Sequence, residues 1–178
     1  MPSGTKSLAL QVYDSDAPTG SGFWPWAIYD IPPSASGLAR GVGNNATLLP
    51  AGAFGGNTDF LDTGATGVNG NYGGPCPPAG DPPHRYIFTL FALAADKVEV
   101  AGGVRKTGTA GLYGFVLNKG IGANLLGKAS FTATYGRQEI PSPARRARLA
   151  HLEAFERNRV LGLLLVVTDA RLRRVVPG

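Results

Sequence analysis

Cysteine is nearly absent from this chain of 178 residues, Cys76 being the single one. One thiol closes no intrachain disulfide and makes no zinc site by itself, so stability has to come from packing. Charge is sparse too. Asp, Glu, Lys and Arg supply 16% of the residues, against roughly a quarter in an average soluble domain. Combined with Gly 26 and Pro 14, that excludes a helical bundle or coiled coil. The longest apolar run, Val160 to Val167 with Gly162 inside it, falls far short of the roughly 18 residues a membrane span needs. No basic segment leads into an apolar stretch and a small-residue cleavage site, so no signal peptide is expected and the sequence predicts a soluble, cytoplasmic protein.

What is present is enough for a core. Apolar residues make up 43% of the chain and the mean hydropathy is near zero, so the turn-rich composition points to short strands rather than disorder. The length suits one ordinary domain plus, at most, an appendage. The formal net charge of +5 suggests a polyanion partner until the charges are located. Basic and acidic residues balance over 1–140, and the whole excess lies in 141–178, where every basic residue is Arg. Glycine nearly vanishes after Pro141-Ser142-Pro143 as well, which sets the one candidate boundary: a domain over 1–140 and an Arg-rich appendage over 141–178. In the appendage Ser142 and Pro143 form a helix-start pattern, Ser at N-cap and Pro at the first helical position. Its arginines could contact phosphates. Phe155 is its only aromatic residue, which argues against base stacking and against nucleic acid as the partner. His151 reads as a solvated side chain.

Alternation of apolar with small or polar residues predicts a strand over 7–13, delivering Asp14 and Asp16 to its end, and 23–31 reads as a second strand, closed by Pro32-Pro33. Pro25 inside the second strand requires an edge, a bulge or a strand start. Residues 33–80 read as a long loop anchored by Phe54, Phe60 and Leu61. A connection of that length is usually functional or poorly ordered. Residues 85–93 carry the strongest strand pattern, aromatic and β-branched. A short helix or turn is expected around 114–117 and 121–126, then another strand over 128–135. The expected fold is mainly β, with long loops and a few short helices.

Two segments could carry chemistry. Asp14-x-Asp16 would place both carboxylates on one side of an extended chain, where they could bind a divalent metal, share a proton or hold a cationic head group. Alternatively, one Asp caps the turn at Ala17-Pro18 and the other is solvated. The segment from Tyr72 to Tyr86 has five prolines, building a rigid loop that presents His84 at the start of the strongest strand. Its glycine amides can approach an anion closely, and an imidazole beside them can donate to it. His84 could instead pack beside Trp24 or Trp26. Cys76 in the same loop would need a cationic neighbour to be reactive. None is visible in sequence, so a packing role is expected.

These segments, Asp14-Ser15-Asp16-Ala17-Pro18, Phe23-Trp24-x-Trp26, Tyr72-Gly-Gly-Pro-Cys-Pro-Pro-Ala-Gly80, His84-Arg85-Tyr86 and Leu126 to Arg137, occur in an order that resembles the phosphatidylethanolamine-binding protein family, in its bacterial Raf-kinase-inhibitor-like branch. The resemblance implies a β-fold with a small pocket for an anionic, usually phosphate-bearing group. It implies action by binding rather than turnover, with no cofactor and no metal, and a protein partner such as a kinase as a candidate. Carried over by residue, it implicates Asp14, Asp16, Tyr72, Gly74, Pro78, His84 and Tyr86. Pro25 stands where the family pattern has a second pocket histidine. The pattern also predicts that roughly 30 residues of early strands are absent, and it leaves the Arg-rich tail without a counterpart. The competing readings are a hydrolase or lyase with His84 as general base oriented by Asp14, and polyanion binding through the tail.

Overall fold

Side chains alternate across a strand with period two, and that periodicity organises this molecule. The computed structural model describes residues 1–60, 72–138 and 142–152. It divides into two units, 1–138 and 139–178. In the first, β1 (Ser7–Asp14), β2 (Phe23–Ile31), β3 (Phe54–Gly55), β4 (His84–Leu93) and β5 (Leu125–Tyr135) form an antiparallel sheet in the order β3-β2-β1-β4-β5. The mainly β expectation holds.

Ala9 and Gln11 of β1 face one side of this sheet; Leu8, Val12 and Asp14 face the other. The first side is covered by α1 (Val98–Gly102), α2 (Ala110–Phe115) and the π-helical turn Val116–Gly120 that continues α2. There Tyr29 stacks on Tyr113 with ring centroids 4.1 Å apart. Buried Gln11 donates from Nε2 to the Tyr29 hydroxyl and to the Ala110 carbonyl, pinning α2 to the sheet. The second side buries Leu8, Val12, Trp26, Ile28 and Ile31 with Val42 from the long loop. Towards β5 it is open, and Phe131 stays exposed while stacking on Phe88.

Pro25 fits because β2 is irregular at that point. The β1–β2 register shifts between Val12 and Asp14, so the missing N–H falls in a bulge rather than in a regular ladder. The same bulge region holds Gly22 at φ 73°, where an added Cβ would also run into the Tyr13 ring. In the long loop Phe54 forms β3 and packs against Tyr29, and Phe60 meets Phe23 edge-on. Leu61 lies outside the described residues. Two local expectations need correction. Leu125 and Leu126 belong to β5 rather than to the preceding turn, since the ladder to β4 continues back through Leu93. The helical segment starts earlier than expected, at Ala110, where the Thr109 hydroxyl caps it by accepting from Leu112 N–H.

In the second unit residues 143–152 are helical. Ser142 caps them, its Oγ accepting from Arg145 N–H at 3.2 Å. His151 is exposed. Among the described residues no helix is long and apolar enough to cross a membrane.

Candidate functional site

β1 ends where β4 begins, and their antiparallel register places Asp14 opposite Tyr86. His84 and Tyr86, two residues apart on β4, share the face that Asp14 faces. His84 Nδ1 donates to Asp14 Oδ2 at 2.9 Å, while its Nε2 lies 3.5 Å from Asp81 Oδ2. Both sites on the ring are thus turned to carboxylates. His84 and Asp14 are only 3% and 5% exposed. Burial pulls the imidazole pKa down, but the hydrogen bonds and charges of Asp14 and then Asp81 outweigh it, holding it above the ordinary histidine value.

These groups open onto a cavity of about 290 Å³ at the end of the sheet. Its walls are mostly apolar, with Phe23, Pro25 and Phe60 on one part and Pro77 and Pro78 on another; the polar exceptions are Asp14, Thr19, Cys76, His84 and Tyr86. Tyr86 is 3% exposed, with its hydroxyl beside the Asp14 carboxylate. Burial first, then the charge of Asp14 and a side-chain hydrogen bond with it, push its phenol pKa up. Gly74, at φ 72°, brings backbone to the cavity in a conformation other residues resist.

Of the eight residues singled out from sequence, Asp14, Pro25, Gly74, Pro78, His84 and Tyr86 line this cavity, and Asp16 and Tyr72 do not. Asp16 fails to share a side with Asp14 because the strand ends there. Asp14 Oδ1 accepts the Asp16 N–H at 3.0 Å, turning the chain. The Asp16 carboxylate is then gripped by Arg85, which donates from Nε at 2.8 Å, from Nη2 at 2.6 Å and from its backbone N–H at 2.8 Å. Those bonds hold the Asp16 pKa down at about 2. Tyr72 supports the site from behind, stacked on Trp26 at 4.9 Å. Packing of His84 against a tryptophan, the other reading of that residue, gives way to its pairing with Asp14. Sequence reasoning missed Asp81, whose position three residues before His84 was the available signal. It also missed Phe23, Phe60 and Thr19 as walls. Among the described residues no group of three or more His, Cys, Asp or Glu is placed to hold a metal ion.

A five-stranded antiparallel sheet with a carboxylate–imidazole pair at the mouth of a proline-walled cavity is one class of β-domain. The phosphatidylethanolamine-binding protein family model matches residues 1–136, and the chain belongs to that family. It is 41% identical over 136 residues to UPF0098 protein YbcL of Escherichia coli, a match covering 76% of this chain and 66% of YbcL. Against UPF0098 protein YbhB of the same organism it is 36% identical over 135 residues, covering 76% and 75%. The chain thus spans about two thirds to three quarters of the length of these relatives. The crystal structure of YbcL, described as a new member of the mammalian PEBP family, superposes with a TM-score of 0.64 at 39% identity, covering 78% of this chain and 76% of that one.

Proposed function

We propose that this protein binds, without turnover, a small ligand carrying a phosphate or similar anionic group in the cavity formed by Asp14, His84 and Tyr86. The observation that carries this reading is the buried pair of Asp14 and His84, with Tyr86 beside it, at the wall of a cavity otherwise lined mostly by apolar side chains. Asp14 fixes the ring through Nδ1, which leaves Nε2 directed at Asp81. At 3.5 Å that second contact is long, and Asp81 is partly exposed, so a ligand oxygen can replace it on Nε2. Two donors, His84 Nε2–H and Tyr86 O–H, then meet one anionic group, and the apolar walls take the rest of the ligand.

Turnover is disfavoured by the same geometry. A general base needs a ring nitrogen with a free lone pair, whereas both ring nitrogens of His84 face carboxylates, Asp14 at 2.9 Å and Asp81 at 3.5 Å, which favour the protonated ring. Pro25 supplies no donor at the cavity wall, so the binding is weaker than a pocket with two imidazoles would give.

Calorimetric titration with phosphorylethanolamine and with glycerol phosphate tests the reading. A charge-assisted hydrogen bond contributes about 1.5–3 kcal/mol, so His84→Ala should weaken binding roughly ten- to a hundredfold. Tyr86→Phe should weaken it roughly tenfold, and neither compound should be hydrolysed on prolonged incubation followed by phosphorus NMR. Absence of binding by the unsubstituted protein, or phosphate release that depends on His84, would overturn the proposal.

A further inference from the structure

A second cavity, of about 150 Å³, opens on the face of the sheet opposite Asp14 and His84. Its floor follows from strand register. Gln11 of β1 lies opposite Thr89 of β4, and Thr89 lies opposite Ser130 of β5. Three polar side chains therefore stand abreast on neighbouring strands, each about 5 Å from the next. Ile87 and Phe91, two residues to either side of Thr89, give this floor apolar ends. Tyr13 and Trp24, with ring centroids 4.5 Å apart, form one wall.

Two independent observations set this space apart from a solvated groove. The first is the state of Gln11, which is 2% exposed. Its Nε2 is spent on the Tyr29 hydroxyl and the Ala110 carbonyl, and no group among the described residues donates to its Oε1. A buried acceptor without a donor is costly, and this one belongs to a side chain that lines the cavity. The second is the π-helical turn Val116–Gly120, a rare conformation that recurs at functional sites. It presents Asn118, whose Nδ2 donates to the Gly114 carbonyl at 2.8 Å and whose Oδ1 accepts from Lys128 Nζ at 2.8 Å. The Lys128 ammonium is thus tethered at the rim with further N–H bonds to give. It is the one charged side chain among the described residues that line the cavity.

We propose that this cavity is a second binding site, one that takes a small 2-hydroxy carboxylate. Lys128 meets the carboxylate, with the Thr89 and Ser130 hydroxyls beside it, and Gln11 Oε1 accepts the ligand's hydroxyl. A hydroxyl suits that position better than an ammonium, because no carboxylate lines the cavity to offset a second buried charge. A space of this size holds a ligand of about six non-hydrogen atoms, the size of lactate. The site is separate from the cavity of Asp14 and His84, and the inference does not rest on the anion reading given there.

NMR titration of the full chain with lactate tests it. Saturable shifts are expected at the Gln11 side-chain amide, Thr89, Lys128 and Ser130, with a Kd on the order of 1 mM, and they should persist with phosphorylethanolamine in excess. Propionate lacks the hydroxyl and should bind roughly fivefold more weakly; lactamide lacks the charge and should bind roughly tenfold more weakly. Lys128→Met keeps the stem without the ammonium and should weaken lactate roughly tenfold, and Thr89→Val roughly threefold, with urea midpoints measured for both. Where a variant fails to fold, the comparison of lactate with propionate and lactamide on the unsubstituted protein decides. No saturable shift by about 50 mM lactate, or shifts centred on His84, would overturn the proposal. So would propionate or lactamide binding as tightly as lactate, or unchanged affinity in a folded Lys128→Met protein.

Discussion

His84 is held by two carboxylates that differ in kind. Asp14 is buried at hydrogen-bonding distance, and Asp81 is partly exposed and farther away. The raised imidazole pKa fixes the sign of a pH effect. A group whose pKa is higher folded than unfolded contributes stability that is complete below the ordinary histidine value and is lost as pH rises through the native one. Asp14→Asn removes most of the raising influence and leaves burial, so the His84 resonance should titrate at lower pH in that variant than in the parent. An unchanged His84 titration would show that Asp14 does not set its charge. Tyr86→Phe removes a buried hydroxyl beside Asp14 and should weaken the ligand as described above.

Among the elements, β2 carries the feature most at odds with a regular ladder. Pro25 survives there because the β1–β2 register shifts beside it, and its ring lines the cavity. Pro25→His should therefore place an imidazole at the wall and tighten phosphorylethanolamine binding roughly ten- to a hundredfold by calorimetry. The substitution also restores a backbone N–H, so its urea midpoint must be measured alongside. Unchanged affinity in a fully folded variant would remove Pro25 from the explanation of weak binding. The strands themselves were legible from the chain. Runs of aromatic and β-branched residues located β2 and β4 to within a residue, β2 being set off by Gly22 and Pro32 and β4 starting after Pro83. The pairing of Asp14 with His84, 70 residues apart, was legible only through the resemblance and the reading in which Asp14 orients His84, since register is a tertiary property. What stayed hidden otherwise depended on distant contacts: the capture of Asp16 by Arg85, Arg137 on Cys76, and α1. The Val98 N–H at the start of that helix is held by buried Asp30, 68 residues away.

For the whole molecule, the neutral charge balance of 1–140 and the arginine excess beyond it predict separability. A chain ending at Gln138, where the first unit ends, should stay folded, with a far-ultraviolet circular dichroism spectrum dominated by strand and with the parent's affinity for phosphorylethanolamine. Loss of folding in that shortened chain would show that residues beyond 138 complete the core. Salt separates pocket binding from binding by the tail: a contact through many arginines collapses between low and physiological ionic strength, while one through two donors weakens little. The most direct single measurement is residue-by-residue NMR mapping of the full chain titrated with phosphorylethanolamine at physiological salt. Saturable shifts centred on Asp14, Gly74, His84 and Tyr86 are expected, with the tail arginines unmoved. No saturable shift at His84 and Tyr86, or shifts confined to Arg145, Arg146 and Arg148, would contradict a ligand site at the end of the sheet.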